Sequence, residues 1–219
     1  MPWEFFEREA SRYEAWYRTS RGRRVDQAER ELLTWLLGCF PNARSVLEIG
    51  SGTGHFVGWL VEWGIRVAGL DRSPAMLREM RRNCPEVPAV LGDANHLPFR
   101  DGAVDLALFV TTLEFLDDPP KALAEAIRVV RQGIVLVVLN RWSVGGLSRR
   151  WGTQASQPLL GRARDYSAWT LRAAVEKAAG VRLELIRWAS TLFPASLWRF
   201  HGSVPFGDVI GMAVVLHVQ

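Results

Sequence analysis

The run Ser45-Val46-Leu47-Glu48-Ile49-Gly50-Ser51-Gly52-Thr53-Gly54 constrains this chain more than any other stretch. A short apolar segment enters a loop with glycine at every second position. His55 to Trp63 then runs apolar at helical spacing and is stopped by Gly64. The order is strand, glycine-rich turn, helix. Alternate glycines permit a sharp turn and let a ligand approach the backbone without side chains in the way. The helix start after such a turn presents N–H groups that lack intrahelical partners and favour a polar or negatively charged group.

From Val46 onward the pattern alternates strand and helix. Ile65 to Asp71 reads as a strand ending in an acid, and Ser73 with Pro74 behind it opens a helix through Met76, Leu77, Met80 and Arg81. Pro85 and Pro88 break the chain before a strand over Ala89 to Asp93, again ending in an acid. Val104 to Val110 is a fourth strand, Pro119 and Pro120 open a helix through Val130, and the wholly apolar Gly133 to Leu139 is a fifth strand, buried on both faces. Asp165-Tyr166-Ser167 caps a helix over Ala168 to Ala179 that Gly180 closes. Val181 to Trp188 and Val209 to Val218 are the last strands, and with no clear helix between them they form an antiparallel edge. Alternation of this kind gives a doubly wound α/β sheet, mostly parallel, with its ligand crevice at the carboxyl ends of the strands. Gly50 to Gly54, Asp71, Asp93 and Val110-Thr111 all fall at those ends.

Before the first strand, residues 3–17 are expected to form a helix with Phe6, Tyr13 and Tyr17 on one face. A turn at Thr19 to Gly22 follows, then a second helix with Asp26 as N-cap, running through Leu32, Leu33 and Leu36 to Pro41. These helices are read as an addition to the sheet, core packing or a lid.

The 219 residues suit one domain divided into an N-terminal helical cap (1–41), a ligand-binding core (42–140) and an acceptor-side segment with the last strands (141–219). Hydrophobic residues make up 48% and no apolar run is long enough to cross a bilayer. The acidic, aromatic start is unlike a signal peptide. Cys39 and Cys84 show no paired spacing, so a cytoplasmic protein with two free thiols and no metal site is expected. The net charge of +4 is carried almost wholly by arginine, which fits either an acidic partner or a compositional bias; a charge this modest favours the bias.

A dinucleotide fingerprint places its third glycine five residues after the first. Here Gly54 stands four residues after Gly50, and Glu48 stands two before it. Glu48-Ile49-Gly50-Ser51-Gly52-Thr53-Gly54, Asp71 and Asp93-Ala94, followed by Leu97-Pro98-Phe99, resemble the motifs of the class I S-adenosylmethionine-dependent methyltransferases. The branch most resembled is the type 11-like group acting on small molecules, and the resemblance covers roughly residues 45–140. It implies a Rossmann-like seven-stranded sheet with an antiparallel last strand and N-terminal helices. It also implies S-adenosyl-L-methionine as cofactor and S-adenosyl-L-homocysteine as product. The residues it implies for the cofactor are Tyr13, Glu48, Gly50, Ser51, Gly52, Thr53, Gly54, Asp71, Arg72, Met76, Asp93, Ala94, Val110 and Thr111. Asp71 takes the ribose hydroxyls, Asp93 and the next N–H the adenine, and carbonyls near Val110-Thr111 the sulfonium side. Arg18 or Arg24 is a candidate for the methionine carboxylate.

No general base stands out. Glu114, in Thr111-Thr112-Leu113-Glu114-Phe115, and His96 are the candidates, each equally readable as a surface acid and a surface histidine. His55 is expected to pack near the glycine loop. The acceptor site is expected from the N-terminal helices and residues 141–164 and 193–206. Trp142, Trp151, Trp169, Phe193, Trp198 and Phe200 are offered there as walls for an apolar or aromatic small molecule. Base stacking with Arg149, Arg150, Arg162 and Arg164 on phosphates is the alternative; without a dedicated RNA-binding module the small molecule is favoured. The oligomeric state is left open.

Overall fold

The computed structural model describes residues 3–143, 163–193 and 202–217. Two helices, α1 (Trp3–Tyr17) and α2 (Ser20–Leu37), precede β1 (Ser45–Ile49), α3 (His55–Glu62), β2 (Arg66–Asp71), α4 (Pro74–Asn83), β3 (Ala89–Leu91) and β4 (Val104–Val110). A 3-10 turn (Leu113–Phe115), α5 (Pro119–Val129), β5 (Val130–Leu139), α6 (Ala168–Ala179), β6 (Leu183–Thr191) and β7 (Val209–Leu216) follow. The seven strands lie in the order β3-β2-β1-β4-β5-β7-β6. β1 to β5 are mutually parallel, and β7 runs antiparallel to both β5 and β6. The antiparallel strand therefore sits one place in from the edge, with β6 outermost. No helix among the described residues is long and apolar enough to cross a membrane.

Strand periodicity sorts the core into two layers. Leu47 and Ile49 of β1 face α5 and α6, where Leu123, Ala126, Leu171 and Val175 are buried. Val46 faces α2, α3 and α4, against Leu32, Leu36, Val57, Leu60 and Leu77. Thus α2 is more than a cap, because it covers the sheet face over β5 to β7. A Cβ on Gly211 of β7 would come within 2.6 Å of Leu36 Cδ1, and one on Gly133 of β5 within 2.6 Å of the Phe40 ring. Helix and sheet approach this closely only because both positions are glycine.

Local signals account for most boundaries. Ser73 caps α4 with Pro74 in its first turn, Asp118 caps α5 ahead of Pro119-Pro120, and Ser167 forms a capping box with Thr170 at α6. The start of α2 differs from expectation. Thr19, rather than Asp26, is the N-cap, its hydroxyl accepting from Gly22 N at 2.9 Å. Asp26 lies inside the helix and turns to Arg30 and His55. The sixth strand begins at Leu183, after a 3-10 turn at Gly180–Arg182 that leaves Val181 exposed.

Asp105 fixes the amino end of β4 to β1. Its Oδ2 accepts from Arg44 N and Ser45 N at 2.9 Å and from Ser45 Oγ at 2.8 Å, and its Oδ1 from Arg131 Nη2 at 2.8 Å. Burial alone would raise its pKa; the bonds from Arg44, Arg131 and Ser45 outweigh it and hold the carboxyl down to about 2. A folded-state pKa below the unfolded value contributes stability above the unfolded pKa, and that contribution is lost as pH falls through the folded one. Asp105→Asn is expected to cost on the order of 2 kcal/mol in urea unfolding at neutral pH. The difference from wild type should stay flat above about pH 4 and fade toward about pH 2.

Candidate active site

The glycine loop owes its shape to three left-handed residues, with φ of 75° at Gly50, 53° at Gly52 and 85° at Gly54. Gly50 N and Ser51 N both donate to Leu70 O, at 2.7 and 3.0 Å, which fastens the loop to the end of β2. Asp71 then joins two loops at once. Its Oδ2 accepts from Gly52 N at 2.9 Å and its Oδ1 from Ser73 N at 2.8 Å. Burial raises the Asp71 pKa, and the N–H bonds from Ser73 and Gly52 oppose the rise. One strand further on, Asp93 Oδ1 accepts from Asn95 N at 2.9 Å. Leu97 N donates to Glu125 Oε2 at 2.8 Å, so α5 pins the end of that turn.

These loops surround a cavity at the carboxyl ends of β1 to β4. Ten of the expected residues line it: Tyr13, Gly50, Gly52, Asp71, Arg72, Met76, Asp93, Ala94, Val110 and Thr111. Ser51, Thr53 and Gly54 stand behind the wall, as does Glu48, which is buried with Oε2 lacking a hydrogen-bond partner. Burial pushes the Glu48 pKa up to about 8, which His55 opposes and Asp71 reinforces.

Other wall residues were not singled out from the sequence. Phe6 comes from α1, and Thr112, Phe115, Leu116 and Asp117 come from the segment after β4. The shared face of Phe6 and Tyr13 was the available signal for Phe6; nothing local marks residues 112–117 except their position after a strand end. Phe6 meets Phe115 edge-on at 5.2 Å between centroids, and Arg72 Nη1 meets Asp117 Oδ2 at 3.0 Å, so two contacts tie separate elements of the wall together. Arg164 Nη2 donates to Asp117 O at 3.1 Å and bonds the acceptor-side segment to the same place.

Neither candidate base reaches the cavity wall. Glu114 is buried, its Oε1 accepting from Leu139 N at 2.5 Å, because the 3-10 turn directs it toward β5. His96 is exposed beside Lys121, with Nε2 2.6 Å from Nζ. Arg18 and Arg24 are exposed and absent from the wall, where Arg72 is the arginine among the described residues. Trp142 and Trp169 are exposed and, like Phe193, stand away from the cavity; its aromatic wall is Phe6, Tyr13 and Phe115. Arg149, Arg150, Trp151, Arg162, Trp198 and Phe200 lie outside the described residues. No group of three or more metal-ligating side chains occurs among the described residues.

Behind the loop, His55 does pack where the sequence suggested. Its Nε2 lies 2.7 Å from Asp26 Oδ1, its Nδ1 3.4 Å from Glu14 Oε2, and Tyr17 stacks on its ring at 3.6 Å. Burial lowers its pKa, but the bonds to Asp26 and Glu14 win and raise it to about 9.

Comparison with known proteins agrees with this geometry. Residues 47–138 match the family described as methyltransferase domain. An uncharacterized methyltransferase of Mycobacterium tuberculosis is 32% identical over 170 residues, covering 76% of this chain and 66% of the relative. A demethylmenaquinone methyltransferase of Renibacterium salmoninarum is 37% identical over 109 residues, 50% of this chain and 46% of the relative. The chain thus spans about two thirds of the first relative's length and under half of the second's. A crystal structure of a SAM-dependent methyltransferase from Thermotoga maritima aligns with TM-score 0.78 and 28% identity, covering 98% of this chain and 99% of that one. With its glycine loop, strand order and two strand-end acids, the chain belongs to the class I S-adenosylmethionine-dependent methyltransferase family.

Proposed function

We propose that the chain transfers the methyl group of S-adenosylmethionine to a small-molecule acceptor of apolar or aromatic character. The observation that carries this reading is the convergence of Gly50 and Gly52, Asp71, Asp93-Ala94 and Val110-Thr111, from four strand ends, on one cavity. The residues fit an adenosyl sulfonium ligand. Glycine at 50 and 52 leaves backbone rather than side chain at the floor, a buried Glu48 oxygen behind it lacks a partner, and two acids stand at successive strand ends.

When bound, the cofactor supplies an activated methyl on a sulfonium, so transfer is an in-line displacement. Asp71, already immobilised by Gly52 N–H and Ser73 N–H, would hold the ribose hydroxyls without reorganising. Asp93 and the Ala94 N–H would take the base, and carbonyls at Val110-Thr111 would face the sulfonium side. Phe6, Tyr13 and Phe115, which line the cavity, would keep water from the reacting centre. Neither Glu114 nor His96 lines the cavity, and the chain's contribution is alignment and exclusion of water rather than proton abstraction by either. A relative named for demethylmenaquinone supports an apolar, ring-bearing acceptor.

The test is transfer of radiolabelled methyl from S-adenosylmethionine in extracts separated into small-molecule, RNA and protein fractions. Label is expected in the small molecules. Label confined to RNA or protein overturns the acceptor class, and tight cofactor binding with no label anywhere points to a non-catalytic binding protein.

A further inference from the structure

Asn95 lines the cavity beside Asp93 and Ala94, yet it is only 8% exposed, so its side chain is packed into the wall. Its Oδ1 is buried and has no hydrogen-bond partner. A buried carboxamide oxygen left unpaired carries its full desolvation penalty, which an apolar residue of the same size would not. A polar residue kept there at that cost points to a partner that arrives with the ligand.

The backbone around Asn95 is fixed. Asn95 N donates to Asp93 Oδ1 at 2.9 Å and His96 N to Asp93 O at 3.0 Å, which closes a turn over residues 93–96. Just beyond it, Leu97 N donates to Glu125 Oε2 at 2.8 Å, and Arg128 Nη2 donates to Leu97 O at 3.1 Å. Arg128 also holds Glu125, Nε to Oε1 and Nη2 to Oε2, both at 2.8 Å. Two side chains of α5 thus clamp the exit of the turn and keep Asn95 at the wall. The same turn divides Asp93: Oδ1 is taken by Asn95 N, so Oδ2 is the oxygen it can offer a ligand.

An adenine ring presents an exocyclic amine with two hydrogens, flanked by the acceptors N1 and N7. Asp93 Oδ2 and the Ala94 N–H answer one hydrogen and N1. The other hydrogen and N7 are left over. A carboxamide carries an acceptor and a donor side by side, and is the side chain that pairs with adenine through the amine and N7.

We propose that Asn95 reads this second edge of the adenine, Oδ1 accepting from the amine and Nδ2 donating to N7. The inference rests on the adenosyl reading of the cavity. With Asp93 and Asn95 both in place, each amine hydrogen has its own acceptor, and a 6-oxo purine would set its oxygen against two acceptors. A need for N7 comes from Asn95 and from no other residue of the turn. Asn95 is a specificity residue and touches no reacting atom.

The test is calorimetric titration of the full chain, wild type and Asn95→Leu, with three ligands. These are S-adenosylhomocysteine, its 7-deaza analogue, which lacks the N7 acceptor, and its inosine analogue, which carries oxygen in place of the amine. Wild type should bind the 7-deaza analogue about tenfold more weakly than S-adenosylhomocysteine, and the inosine analogue about 100-fold more weakly. Asn95→Leu should bind S-adenosylhomocysteine about tenfold more weakly than wild type does and should no longer distinguish it from the 7-deaza analogue. Without ligand, the urea midpoint of Asn95→Leu should equal or exceed that of wild type, since the unpaired oxygen is gone. Wild type binding S-adenosylhomocysteine and its 7-deaza analogue equally overturns the role of Asn95 and leaves the adenosyl reading standing; that comparison needs no variant. Equal S-adenosylhomocysteine affinity in wild type and Asn95→Leu overturns it likewise. Failure of wild type to bind any of the three overturns the adenosyl reading, and the role of Asn95 with it.

Discussion

Gly50→Ala is expected to weaken S-adenosylhomocysteine binding by about 100-fold or more, equivalent to roughly 3 kcal/mol, while leaving the chain folded. Two effects add. The residue has φ of 75°, a conformation that costs an alanine about 1 kcal/mol. The new Cβ would also fall 2.2 Å from Thr112 Cγ2 and 2.5 Å from Thr112 Oγ1. Thr112 is poorly placed to yield, because its hydroxyl is bonded to Val110 O at 3.0 Å. Loop or Thr112 must move, and both line the cavity. Gly64→Ala separates the two effects. Gly64 has the same φ of 75° but nothing within 4 Å of its added Cβ. That variant should lose about 1 kcal/mol of stability and bind ligand as wild type does. Calorimetric titration of the pair reads both outcomes.

The second large effect is expected at Asp71. Asp71→Ala removes the acceptor of two backbone N–H groups, Gly52 N and Ser73 N, and each N–H left without a partner costs about 1–3 kcal/mol. It also removes the carboxylate from the wall. Affinity for S-adenosylhomocysteine should fall by about 100-fold, with a drop in urea stability of about 2 kcal/mol as the two loops come apart. Asp71→Asn keeps the size but turns an NH₂ toward one of two donors, so it should recover little of the affinity. Were Asp71 only a solvated strand-end acid, both variants would bind and unfold like wild type.

The strands and their helices were legible because each signal is local. Ser73-Pro74, Asp118-Pro119-Pro120 and Ser167 cap helices by bonds spanning three residues, and the apolar periodicity of Val46 to Ile49 already sorts side chains to two faces. Two nearby caps compete at the start of α2. Thr19 wins because the helix can start a full turn and more earlier once Gly22 packs tightly against α1; a Cβ there would meet Trp16 O at 2.0 Å. That close approach is tertiary and leaves no periodic trace. The position of β7 between β5 and β6 is likewise a matter of pairing between strands distant in sequence.

The same division runs through the site. Glycines and strand-end acids announce themselves by spacing, and ten expected residues reach one wall. Its distance from β4 in sequence puts Glu114 near the crevice, but a single 3-10 turn rotates it onto Leu139 N. No spacing motif ties the acceptor-side aromatics to the strand ends. Phe6 and Tyr13 reach the wall on α1, whose crossing of α4 is set by Glu7 at Ser73 and Ala75, and Phe115 reaches it from the 3-10 turn after β4, while Trp142, Trp169 and Phe193 stand away.

On the four-residue spacing of Gly50 to Gly54 and the two acids at 71 and 93, this cavity is expected to select an adenosyl sulfonium ligand over a dinucleotide. Side-by-side equilibrium titration of the wild-type chain with S-adenosylhomocysteine and NADH tests it most directly. One S-adenosylhomocysteine per chain, bound in the micromolar range and lost in Asp71→Ala, with no saturable NADH binding, is the predicted result. NADH bound more tightly than S-adenosylhomocysteine, or S-adenosylhomocysteine bound no differently by Asp71→Ala, would contradict it.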